Sequence, residues 1–129
     1  MSELDVLVKD KLVPFRKEII EAMREKHADF IGIVESAMAG RENKFGLMVT
    51  ENGRIAGEYT FIVNGIDIER VETGVLESEI RHPLLGGIKP YAVIEKNDIE
   101  QVIENKEFLT DTFAAAKKFL PKMTLKFLS

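Results

Sequence analysis

Few residues in this chain have the chemistry to catalyse. The two histidines, His27 and His82, are the only side chains whose ordinary pKa lets them exchange protons near neutrality. His27 stands among Glu25, Lys26 and Asp29 near an expected helix end, where the helix dipole accounts for it. His82 precedes Pro83 in a stretch that breaks every periodicity. Neither has a nucleophile or base placed beside it by spacing, so both read as structural or surface residues. Cysteine is absent, which removes thiolate nucleophiles, disulfides and cysteine-bound zinc, and is consistent with a reducing compartment.

Carboxylates are numerous but do not fall into a catalytic pattern. Glu58, Thr60 and Glu69 are expected on one face of a sheet, with Glu58 opposite Leu47. Such a cluster could act as a general base or hold a cation, and a solvated face of an antiparallel sheet explains it better. Gly86-Gly87 lacks the strand, spaced glycines and following helix of a phosphate loop. Lys117-Lys118 is too short for a nucleic-acid patch. No catalytic residue, metal site or cofactor is expected.

The remaining candidates are apolar. Phe108, Phe113, Phe119, Met123 and Phe127 crowd the last part of the chain around Ala114, Ala115 and Ala116. At helical spacing they read first as core. Small side chains beside large ones can also leave room for a ligand.

The elements that must position these residues can be read in order. Leu4, Leu7, Val8 and Leu12 share a helical face, and Ser2 with Asp5 forms a rough capping pair. Pro14 either opens a second helix or kinks the first. Ile19, Ile20 and Met23 continue the amphipathic pattern, and ADFIGIVESAMAG is read as helix, although FIGIV also suits a strand. Two Asn-Gly pairs, Asn52-Gly53 and Asn64-Gly65, then separate KFGLMVTE, RIAGEYTFIV and IDIERVE into an antiparallel meander.

Two-residue turns fix register. Glu51 is expected opposite Arg54, and Val63 opposite Ile66. That register gathers Met48, Ile55, Tyr59, Phe61, Val63, Ile66 and Ile68 on a core face. It leaves Phe45, Leu47, Val49, Ala56 and Ile62 on a half-polar one with Glu58, Thr60, Asp67 and Glu69. VLESEI could add a short strand, and RHPLLGGIKP is an apolar irregular loop. YAVIE is a strand, Asn97 and Glu100 form an Asn-x-x-Glu cap, and Asn105 closes the helix in the left-handed region. Leu109, Phe113, Ala116 and Leu120 stripe a second helix that Pro121 ends, and KMTLKFL alternates as a last strand.

Composition agrees with a soluble domain spanning 1–129. The 129 residues are 45% hydrophobic and 31% charged, with a net charge of −4 and no concentration of basic residues suited to nucleic acid. No segment reaches the ~20 apolar residues of a membrane span, and no signal peptide is read, so a cytoplasmic location is expected. The expected fold is α+β: an antiparallel sheet of about five strands with helices packed on one face.

The segments KPYAVIEKNDIEQVIENKEF and FAAAKKFLPKMTLKFL, together with the element order, resemble the sterol-carrier-protein-type (SCP2-like) lipid-binding domains. In that family helices cover one side of a five-stranded sheet, and an apolar tunnel between the layers holds fatty acyl or sterol-like ligands. Asn105 stands where the family often has glycine, and no terminal amphipathic helix precedes Ser129. The N-terminal helices or a second subunit would then close the tunnel. The resemblance implies non-enzymatic binding or carriage of a hydrophobic small molecule. Phe61, Phe113, Ala116, Leu120, Met123 and Leu125 would line the site, and Leu84 and Leu85 would sit near its entrance. Tyr59, Arg70 or Lys89 would meet a polar head. A protein-interaction or homodimerisation module using an apolar surface or the edge strand is the competing expectation. An enzyme working through carboxylates ranks last.

Overall fold

The computed structural model describes residues 2–82 and 86–128, apart from the side chains of Arg81 and His82. Leu84, Leu85 and the His82 side chain therefore lie outside the described residues.

The chain opens with an unbroken helical run. Ser2 caps it, its hydroxyl accepting from the Asp5 N–H at 3.1 Å. A first turn, α1 (Glu3–Asp5), leads into a π-helical segment (Val6–Leu12) and then into α2 (Val13–Lys26). Pro14 explains the wide segment. It has no N–H to give the helix and its ring crowds the preceding turn. The strain is absorbed upstream, where the Val13 N–H reaches five residues back to the Val8 carbonyl. Helix α3 (Ala28–Met38) follows, as the helical reading of ADFIGIVESAM expected.

Strands β1 (Glu42–Glu51), β2 (Arg54–Asn64) and β3 (Asp67–Thr73) form the antiparallel meander. Strands β4 (Ile80–His82) and β5 (Gly86–Ile88) make a separate two-stranded ribbon. Strand β6 (Pro90–Glu95) precedes α4 (Lys96–Glu104), α5 (Glu107–Thr110), α6 (Thr112–Phe119), a 3-10 turn (Leu120–Lys122) and β7 (Thr124–Phe127). The main sheet has the order β3-β2-β1-β6-β7. It is mixed rather than purely antiparallel, because β6 enters beside β1 and runs parallel to it. A long excursion through β2–β5 separates the two strands, and parallel neighbours need such a connection.

The first hairpin turns as expected: Asn52 and Gly53 both have positive φ, and Glu51 faces Arg54. Register then shifts between Val49 and Thr50, so that Val49 faces Gly57, Leu47 faces Tyr59 and Phe45 faces Phe61. One unpaired residue reverses every face assignment beyond it. Phe45, Leu47 and Val49 join Tyr59 and Phe61, while Met48 faces Glu58. Ile55, expected in the core, is 62% exposed. The second turn also differs. Asn64 pairs with Asp67 around Gly65 and Ile66, and a further shift pairs Val63 with Ile68 and Ile62 with Arg70.

One sheet face carries helices. Leu7 and Val8 of the π segment and Ile99 of α4 bury Leu47, Val49 and Tyr59, with Ala92 and Ile94 against them. A second cluster joins Phe15 to Phe108 and Ala115, the two rings packed edge to face at 6.3 Å. The opposite face, expected to be half-polar and wet at least beside the third strand, is exposed at Arg70 on β3 but covered over β1 and β2. Residues 75–79 fold over it, and Thr60 holds them there by donating to the Val75 carbonyl and accepting from the Glu77 N–H, each at 2.9 Å. Thr60 and Ile62 are fully buried in consequence. Gly46 makes the fit possible: a Cβ there would lie 2.7 Å from Tyr91 Cβ and 2.8 Å from Leu76 Cδ1.

The helix ends differ from expectation in two places. Helix α4 starts at Lys96, so Asn97 lies inside its first turn and forms no cap. Asn105 ends it with φ of −88°, not left-handed, and its side chain instead accepts from the Glu107 N–H at 3.0 Å. The single helix expected over Leu109–Leu120 is split at Asp111, whose carboxylate caps α6 through the Ala114 N–H at 3.3 Å.

Candidate functional site

An apolar trough lies on the helix-bearing face at the end of the sheet that the π segment leaves uncovered. Its floor is made by Phe45 and Phe61, directly across from one another on β1 and β2, with Val63 and Ile68 beside them. Leu12, Val13 and Arg16 form the overhanging wall. The space measures about 420 Å3 and is open to solvent along one side. Phe45 is 36% exposed on that floor, an unusual state for an aromatic ring in the middle strand of a sheet.

A second cleft of about 570 Å3 continues along α2 and shares Val13, Arg16 and Ile68 with the trough. Its lining adds polar groups, among them Glu21, Arg24 and Asp67. Arg16 is the junction. Its Nη2 donates to the Ile66 carbonyl at 2.6 Å, which fixes the guanidinium over the β2–β3 turn. Burial pushes the Arg16 pKa below its ordinary value, and the nearby Asp67 carboxylate opposes that shift. An arginine so placed stays cationic.

The expected lining residues separate. Phe61 lines the trough. Tyr59 is buried beneath the π segment, and its hydroxyl donates to Asp5 Oδ1 at 2.7 Å, so it meets no ligand head. Phe113 points outward and packs edge to face on Phe30 and His27, with ring centres 5.5 and 5.1 Å away. Ala116 packs against the Phe15–Phe108 cluster. Ala115 is the buried one of the three alanines, and beside it only a small, largely polar-rimmed hollow of about 90 Å3 remains between Phe108 and Phe119. Leu120 and Leu125 are exposed and Met123 is half-buried. Arg70 is an exposed residue on the other sheet face, its Nε 3.6 Å from a Glu72 oxygen. Lys89 borders a separate hollow of about 310 Å3 with Lys44 and Ser78.

The expected acidic cluster is not assembled. Glu58 faces Met48, and Glu69 is the unpaired residue at the β3 register shift, lying 4.0 Å from Arg70. Among the described residues no group of three potential ligands could hold a metal ion, and no helix is long and apolar enough to cross a membrane.

Leu12, Val13, Arg16 and Phe45 were missed by sequence reasoning. Phe45 was assigned to the wrong face by the register shift. The others were read only as helix, although the Leu12-Val13-Pro14 junction was the available signal for a distorted turn. Compared with known proteins, the sequence matches no family model and no curated relative, so the function must be argued from this trough and its neighbours.

Proposed function

We propose that the protein binds a hydrophobic small molecule, of fatty-acyl or sterol-like character, without transforming it. The trough carries this reading: an apolar volume of about 420 Å3, floored by Phe45 and Phe61, falls within the ~300–1,000 Å3 of small-molecule sites. Removing an apolar ligand from water there contributes roughly 25 cal/mol per Å2 of buried surface, before the costs of association. The layering of helices on one face of a five-stranded sheet supports the likeness to sterol-carrier-type domains, with the ligand displaced from the late helices toward α2. Titration with a fluorescent fatty acid, read by emission and by displacement with unlabelled ligand, tests it. Saturable binding that Phe45→Asp abolishes is expected, and a probe that never binds overturns the reading.

A homodimer through β7 is the second reading. All four residues of that strand are exposed at the sheet edge, and an unpaired edge can add a strand. Light scattering in line with size-exclusion chromatography decides it.

A further inference from the structure

Arg16 sits where the apolar trough meets the more polar cleft along α2, and it lines both. It follows Leu12 and precedes Ile20 at spacings of four, so apolar side chains flank it on one helix face. A surface arginine ordinarily lays its stem on apolar neighbours and holds its head in water. Here the head is tied to the protein instead: Nη2 donates to the Ile66 carbonyl at 2.6 Å, and burial strips the guanidinium of part of its water.

Holding that turn uses one arm of the guanidinium. Among the described residues Arg16 makes no other hydrogen bond and no ion pair. Asp67 is near enough to act through its field but does not bond to it. A cation drawn partly out of water without a bonded counter-charge is costly, and an anion set against it offsets that cost. The remaining donors of the planar fork suit a carboxylate, which a guanidinium can meet with two parallel N–H bonds.

We infer that the ligand of the trough is an amphiphile with one negative charge, an aliphatic carboxylate whose head Arg16 binds while its tail lies on Phe45 and Phe61. This rests on the trough being the ligand site. The charge is limited to one because Glu21 and Asp67 line the adjoining cleft, where they repel a doubly charged phosphate head. A neutral sterol or an ester would fill the apolar space and leave the guanidinium without its counter-charge. Arg16 is therefore the residue that selects the acid among apolar ligands of similar size.

Displacement of Nile red, a neutral apolar dye, from the full chain tests it, with decanoate, decanol and decyl phosphate as competitors below their micelle-forming concentrations. Decanoate should compete at least about tenfold better than decanol, the gain expected of a charge-assisted hydrogen bond. It should also compete better than decyl phosphate. Arg16→Gln should remove the preference for the acid while Nile red still binds, and Arg16→Lys, which keeps the charge without the fork, should keep only part of it. Circular dichroism checks that both variants fold. Should they not, NMR of decanoate labelled at its carboxyl and bound to the parent protein decides: the carboxyl should titrate below the free acid, because a neighbouring guanidinium favours the charged form. Nile red that never binds overturns the trough as a site, and this inference with it. Nile red that binds but yields equally to acid and alcohol, or most readily to decyl phosphate, overturns the inference alone. So does a preference that survives Arg16→Gln, or a bound carboxyl that titrates at or above its free value.

Discussion

The Tyr59 hydroxyl donates to the Asp5 carboxylate at 2.7 Å, tying the first helical turn to the second strand across the core. That bond holds the Asp5 pKa below the usual carboxylate range. Burial first, and the Asp5 bond second, push the Tyr59 pKa above its ordinary value.

These shifts predict two limbs in the pH dependence of stability. Asp5 contributes above its unfolded pKa, and the contribution is lost as pH falls through its depressed folded value. Tyr59 contributes fully below the unfolded tyrosine pKa of about 10, and that contribution falls as pH rises beyond it. Thermal melts of Tyr59→Phe across pH should show both limbs flattened. Unchanged limbs would mean that other groups set them.

A parallel prediction concerns Glu95. Its carboxylate accepts from the Thr50 hydroxyl and from the Asn52 and Gly53 N–H groups at 2.9 and 3.3 Å, clamping the β1–β2 turn to the end of β6. The Thr50 bond is the largest cause of a lowered Glu95 pKa. The clamp therefore acts above the ordinary glutamate pKa and is lost as pH falls through the depressed one. Hydrogen exchange at Asn52 and Gly53 should quicken in Glu95→Gln at neutral pH, and match the parent protein once the parent is acidified.

Two glycines should respond oppositely to alanine. At Gly46 a Cβ has no room between Tyr91 and Leu76, so Gly46→Ala should destabilise by about 1–3 kcal/mol. Gly32 lies exposed within α3 with nothing within 4 Å of a built Cβ, and Gly32→Ala should stabilise by about 1 kcal/mol. Denaturant titrations measure both. Equal effects would contradict the packing described for β1.

Trough and late helices can also be separated by mutation. Phe45→Asp or Phe61→Ala should weaken a fluorescent fatty acid at least tenfold, the loss expected when a good part of an aromatic contact surface goes. Phe113→Ser, at a half-exposed position whose ring packs on Phe30 and His27 and does not line the trough, should leave the affinity unchanged. The reverse pattern would return the site to the late helices.

The sequence by itself determined most of the elements, because local chemistry is enough to mark them. Asn52-Gly53 supplies two positive φ angles, the pattern around Ile99 marks an amphipathic helix, and the alternation in MTLKF marks a strand. The lack of cysteine and the scattered histidines were equally plain and kept the reading away from catalysis. What tertiary structure decided was which side each residue faces. A single unpaired residue on β2, Ala56, moved Phe45 onto the helix side, and Asp111 broke a continuous apolar stripe so that Phe113 turned outward. Both are set close by in the chain, within the β1–β2 hairpin and between Asp111 and Ala114, yet the hydrophobic pattern marks neither. No local preference encodes whether Leu12 and Arg16 will overhang Phe61, because that follows from how far the π segment reaches across a sheet assembled from five separate strands.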